Sequence, residues 1–226
     1  MISILEAAKV IQQFEKDSLT DRISEVERTI RGANLESFKS IYESLEINPN
    51  LLDAAISLKQ VAGQINVLIH ATGILLSLPH ILQEGEVIEA LSLGAGNTGK
   101  KFDLETNQRI AEYKFINWRG GADTIRENSL FKDFYLMAEH DTPKKRYLYV
   151  IGTKYPLKFL GGGRALTSVM SKNISLWSDF QKRYGDKFSK VYEYYEYRKA
   201  SVEIVDIAEI VPELAAQIPI GNNKIE

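Results

Sequence analysis

Apolar side chains at helical spacing dominate the first 80 residues of the chain. Ile4, Ala7, Ala8 and Ile11 recur every three or four positions. Ile23, Val26 and Ile30 repeat the pattern behind Ser18 or Thr20, residues that cap helix starts. Asn48-Pro49-Asn50 is a turn signal. From Leu51 to about His80 the chain is at its most apolar, and no charge falls between Lys59 and Glu84. About 20 apolar residues can span a bilayer. Here Gln60, Gln64, Asn66, His70 and Thr72 interrupt the run and Pro79 ends it, so the expectation is a helix buried in a soluble core, with no membrane partner.

The period changes after Gly85. Glu86–Leu93 reads as a strand, Gly94–Gly99 as a loop, Phe102–Glu105 as a short strand and Arg109–Asn117 as another. In that last strand Ile110, Glu112, Lys114 and Ile116 fall on one face. Gly120-Gly121 breaks the pattern, and a helix is expected from about Asp123 to Glu139, with Leu130, Phe134 and Met137 on one side. Lys145–Ile151 reads as a fourth strand, Ala165–Tyr184 as a helix and Val202–Ile207 as a last strand. The tyrosines of Lys187–Lys199 fit either period.

Composition narrows the chemistry. The chain has 226 residues, 44% hydrophobic and 26% charged, which excludes a disordered tail, a collagen-like fibre and a small disulfide scaffold. With no cysteine there is no disulfide, thiolate nucleophile or Cys-ligated zinc. His70, His80 and His140 are too few for a histidine cage, so any metal is expected on carboxylates. The Met1–Glu6 start lacks a basic stretch leading into an apolar core, and the expected location is cytoplasmic. The net charge of −2 hides an asymmetry: residues 99–200 carry 20 Lys+Arg against 12 Asp+Glu, or +8, which leaves −10 for the flanks. A basic face of this kind recruits polyanions, although a solvated surface of uneven charge gives the same count.

Two motifs compete for the chemistry. Gly94-Ala-Gly-Asn-Thr-Gly99-Lys100 follows a strand and meets the G-x-x-x-x-G-K part of a phosphate-binding loop, with Asp206 as a strand-borne acid that could assist magnesium. Against it, Lys101 stands where a magnesium-binding Ser or Thr belongs, and strand-like alternation follows where a helix should open. The second motif is Asp103 with Glu112-Tyr113-Lys114 nine residues on. A hairpin of 102–105 with 109–115 brings Asp103 to the face that Glu112 and Lys114 share. Two carboxylates and an ammonium suit metal-assisted phosphodiester hydrolysis. Hard oxygens bind Mg²⁺ while leaving room for water and phosphate, and a lysine orients water and offsets negative charge.

Asp103 with Glu112-Tyr-Lys114, set among apolar strands, resembles the PD-(D/E)xK nuclease superfamily, which includes restriction endonucleases and archaeal-type Holliday junction resolvases. The resemblance covers about residues 51–152 and includes element order as well as motif; Phe102 stands where the superfamily carries a proline. It implies an α/β restriction endonuclease-like core (helix, three strands, helix, strand) over 51–155. A helical extension would precede it over 1–50, and helices with a last strand would follow over 156–226. It further implies Asp103 and Glu112 as ligands of Mg²⁺ or Mn²⁺, Lys114 as catalytic lysine, and DNA, with RNA left open, as partner. Glu89 and Glu105 are further acids near the motif. Arg119, Arg126, Lys132 and Arg164 are weaker candidates for phosphate contact, each also readable as solvated surface. The acidic N-terminal helices are expected to form a homodimer surface or a target-recognition element. The alternatives are a non-catalytic nucleic-acid-binding or assembly module and, third, a nucleotide-binding protein using Gly94–Lys100.

Overall fold

A computed structural model describes residues 2–15, 18–94, 99–115, 118 and 123–215. The chain divides into two compact units, 1–66 and 67–226.

The first unit is helical. It holds α1 (Ile4–Glu15), α2 (Leu19–Ile30), α3 (Leu35–Tyr42) and the start of α4 (Pro49–Ile81). Ser18 caps α2 by accepting a hydrogen bond from the Asp21 amide, and Asn34 and Ser37 form a reciprocal capping box on α3. The core of this unit is small: Phe14, Val26 and Leu45, with Ile30, Ile41, Ile47 and Leu51 against them. Arg22 is buried there too, over the Phe14 ring and ion-paired with Glu25 and Glu46.

In the second unit the end of α4 leads into β1 (Ile88–Leu91), β2 (Leu104–Thr106), β3 (Arg109–Lys114), α5 (Thr124–Ala138) and β4 (Lys145–Val150). After these come α6 (Lys154–Leu160), α7 (Leu166–Met170), α8 (Ile174–Tyr184), α9 (Val191–Arg198), β5 (Glu203–Asp206) and α10 (Pro212–Ala215). The protein is thus α/β, and the described residues form one five-stranded mixed sheet in the order β1-β2-β3-β4-β5. β1, β2 and β3 are antiparallel neighbours, while β4 runs parallel to β3 and β5 parallel to β4. A parallel pair needs a crossover, and α5 supplies it between β3 and β4. Strand alternation sorts the side chains onto two covered faces. Ile110, Leu148 and Val150 pack with Leu130, Phe131, Phe134 and Met137 of α5. Leu104, Ala111, Tyr113 and Tyr149 pack with Ile74 and Ile81 of α4 and with Ile207 and Val211.

The six segments expected between 51 and 151 form elements of the expected kind; the second strand is shifted to Leu104–Thr106, and Ile116 and Asn117 of the expected third strand lie outside the described residues. Other expectations need correction. The stretch 165–184 is two helices, because Asn173 accepts a hydrogen bond from the Leu176 amide and starts α8 afresh. Residues 191–198 are helical, since Tyr194 packs onto Phe131, Tyr135 and Phe180. Helix α6 was not foreseen from the pattern. Helix α4 is not buried all round: Ile74, Ser77 and Ile81 are buried, but Leu68 and Leu75 stay 65% and 49% exposed. By length and composition alone it could cross a membrane, which no other helix among the described residues could.

Candidate active site

The site is built on the β2–β3 hairpin. The Thr106 hydroxyl closes its turn by accepting the amides of Gln108 and Arg109, at 3.0 and 2.9 Å. Leu104 then faces Ala111 and Glu105 faces Ile110. One step beyond this register, Asp103 comes level with Glu112, and its Oδ2 accepts the Tyr113 amide at 3.0 Å. The preceding Phe102 is buried and edge-on to the His140 ring, which anchors the entry to the hairpin in the core. The nine-residue spacing therefore does what the sequence requires of it: Asp103 and Glu112 share a hydrogen bond.

The two acids respond differently to one environment. Burial raises the pKa of Asp103, but the His70 imidazole, the Tyr113 amide and the Lys114 charge outweigh it and hold the group below its ordinary value. Among the described residues Glu112 has no such donors. Burial first, then the Asp133 and Asp103 charges, push it up to about 9, against the smaller opposing effect of Lys114. Near neutral pH Glu112 is thus protonated and donates its hydrogen bond to the Asp103 carboxylate.

Two residues that motif reasoning passed over complete the cluster. His70, on α4, brings Nε2 to 3.2 Å from Asp103 Oδ1. Sequence reading made it a hydrogen-bonded core histidine; it is hydrogen-bonded, a quarter exposed, and its partner is the first acid of the motif. Asp133, on α5, holds Lys114 Nζ at 2.5 Å from its Oδ2 and is almost wholly buried. A signal for Asp133 did exist, a carboxylate inside the apolar stripe Leu130–Phe134–Met137. Burial lowers the Lys114 pKa, but Asp133, Glu112 and Asp103 more than reverse this, so the ammonium stays charged. Gly73 lets α4 approach β3: a Cβ there would stand 2.6 Å from the Phe115 ring, which in turn meets His70 edge-on.

Among the described residues, no group of three or more His, Asp or Glu is arranged to hold a metal ion by itself. Asp103 and Glu112 nevertheless fit a hard divalent cation. They are adjacent oxygen donors across the hairpin, the ligand type that such a cation takes.

The remaining candidates fall elsewhere. Arg119 lies outside the described residues, as does 95–98 of the glycine-rich loop. Lys100 hydrogen-bonds the Leu91 carbonyl, and the chain proceeds into β2 rather than a helix, so no helix N-terminus follows the loop to face a phosphate. Asp206 accepts the Gly152 and Ala208 amides and acts as a loop clamp. Lys132 is exposed on α5, and Arg126 pairs with Asp123 at 3.1 Å. The Arg164 guanidinium is spent internally on Glu127, Thr124 and Ser168. Glu89 and Glu105 both pair with Lys144, at 2.6 and 2.8 Å. No protein-family model, curated protein or solved structure matches the chain.

Proposed function

We propose that this protein is a Mg²⁺- or Mn²⁺-dependent nuclease that hydrolyses phosphodiester bonds in DNA, with the restriction endonuclease-like core of the PD-(D/E)xK superfamily. The observation that carries the reading is the junction of Asp103 and Glu112 across one hairpin, with Lys114 two residues on. The sequential order of helix, three strands, helix and strand supports it. So does the excess of basic residues between 99 and 200.

In this reading Asp103 and Glu112 hold the cation. A bound divalent ion supplies acidity to a water and stabilises the charge that builds on phosphorus. The protein does the positioning. The Tyr113 amide and His70 fix the Asp103 carboxylate, and Lys114 orients the attacking water and offsets negative charge. The water oxygen bonds to phosphorus in line as the bond to the leaving sugar oxygen breaks. Wild type is expected to cut plasmid DNA with Mg²⁺ or Mn²⁺, while a folded Glu112→Ala protein loses roughly 10³-fold or more in rate. Cleavage by Glu112→Ala at the wild-type rate would sink the reading. Steeply salt-dependent DNA binding without cleavage in either metal would replace the enzyme with a binding module.

A further inference from the structure

Lys114 lies among three acids and takes its short contact, 2.5 Å, with the one that is not on the hairpin. That choice has a cost. Asp133 is 7% exposed on a helix face otherwise filled by Leu130, Phe134 and Met137, where two apolar side chains would pack without desolvating charge. A buried ion pair is therefore poorly explained as a stabilising device. It is better explained by what Lys114 would do in its absence: the Asp103 carboxylate, level with Glu112 across the hairpin, attracts this ammonium and would be the charged partner left to it.

Resting on the reading of Asp103 and Glu112 as a cation seat, we propose that Asp133 is a positioning residue that draws Lys114 off the hairpin acids and keeps their oxygens open to a divalent ion. The side chain itself neither binds the metal nor touches substrate. Asp133 is buried on α5 and Lys114 ends β3, so the two elements bring the pair together. The lysine of the motif is thereby prevented from acting as the motif's own competitor.

Calorimetric titration with Mn²⁺ alone tests this on the full-length protein. Asp133→Asn keeps the size and shape of the side chain but loses its charge. It is expected to weaken Mn²⁺ binding roughly 10-fold or more, the range typical of residues that orient a metal site from behind. Removing the displaced ammonium in the double variant Asp133→Asn/Lys114→Met is expected to restore binding to within about threefold of Lys114→Met alone. A residue needed only for folding would show no such rescue. Wild-type affinity in Asp133→Asn, or a double variant as weak as the single one, overturns the proposal. If wild type binds no Mn²⁺, the cation seat itself fails. NMR of ¹³C-dimethylated lysines separates the two failures: a Lys114 resonance that stays in place in Asp133→Asn refutes the contact itself, and one that moves keeps the ion pair but overturns its role in opening a metal site.

Discussion

Two partly buried glutamates, Glu86 against the start of β3 and Glu112 near its end, are treated in opposite ways. At the start of the strand, the enclosed Glu86 side chain receives both arms of Arg109, each at 2.6 Å, and the Thr106 hydroxyl at 2.6 Å. Burial pushes its pKa up, but these donors and the Gln83 amide bring it below the ordinary value. Near the other end Glu112 meets two more carboxylates and rises to about 9. The fold thus has the means to satisfy a buried acid and applies them only at the first site. A fully paired carboxylate is a fastener, here tying residue 86 to the hairpin, whereas one whose hydrogen-bond partner is another acid is a vacancy for charge.

Breaking the satisfied end should have the largest effect. Arg109→Met strands Glu86 without its counter-charge and is expected to cost about 3–5 kcal/mol in urea unfolding; a loss under about 1 kcal/mol would mean Glu86 is not held as described. Crowding the other end comes next. Gly73→Ala forces a methyl group against the Phe115 ring, and a loss of about 1–3 kcal/mol is expected from the same measurement.

The third effect has the opposite sign. A carboxyl whose folded pKa is raised from 4.5 to about 9 keeps a proton that the unfolded chain releases, so stability falls as pH rises through that window. Glu112→Gln removes the penalty. With metal chelated, the variant should match wild type near pH 4.5 and exceed it near pH 8.5, seen as a Tm difference that opens as pH rises. An unchanged difference between the two pH values would show that Glu112 is not neutral in the fold.

Much of this was legible in the sequence, and its limits are physical. Alternation and helical spacing located α4, β1 to β5 and α5 because each buries a regular face. The Asp103–Glu112–Lys114 set could be read because a hairpin turns sequence spacing into distance. Asp133 and His70 could not be placed with it: 19 and 33 residues separate them from their partners Lys114 and Asp103, and only packing of α5 and α4 on the sheet sets those distances. The break at Asn173 was hidden because an asparagine inside a helical pattern becomes a cap only when the preceding turn stops. Arg164 read as a surface cation because nothing local announces Glu127 as its partner.

The parallel pairing of β3 with β4 also orders events in time. The Asp103–Tyr113 contact closes a loop of ten residues within one antiparallel hairpin. The Lys114–Asp133 contact waits until α5 has formed and crossed the sheet, since a parallel partner cannot be reached by a tight turn. Short closures precede long ones in a folding chain. The acids of this protein are therefore expected to meet while its lysine is still free in water, and the step that draws the ammonium away from them comes after.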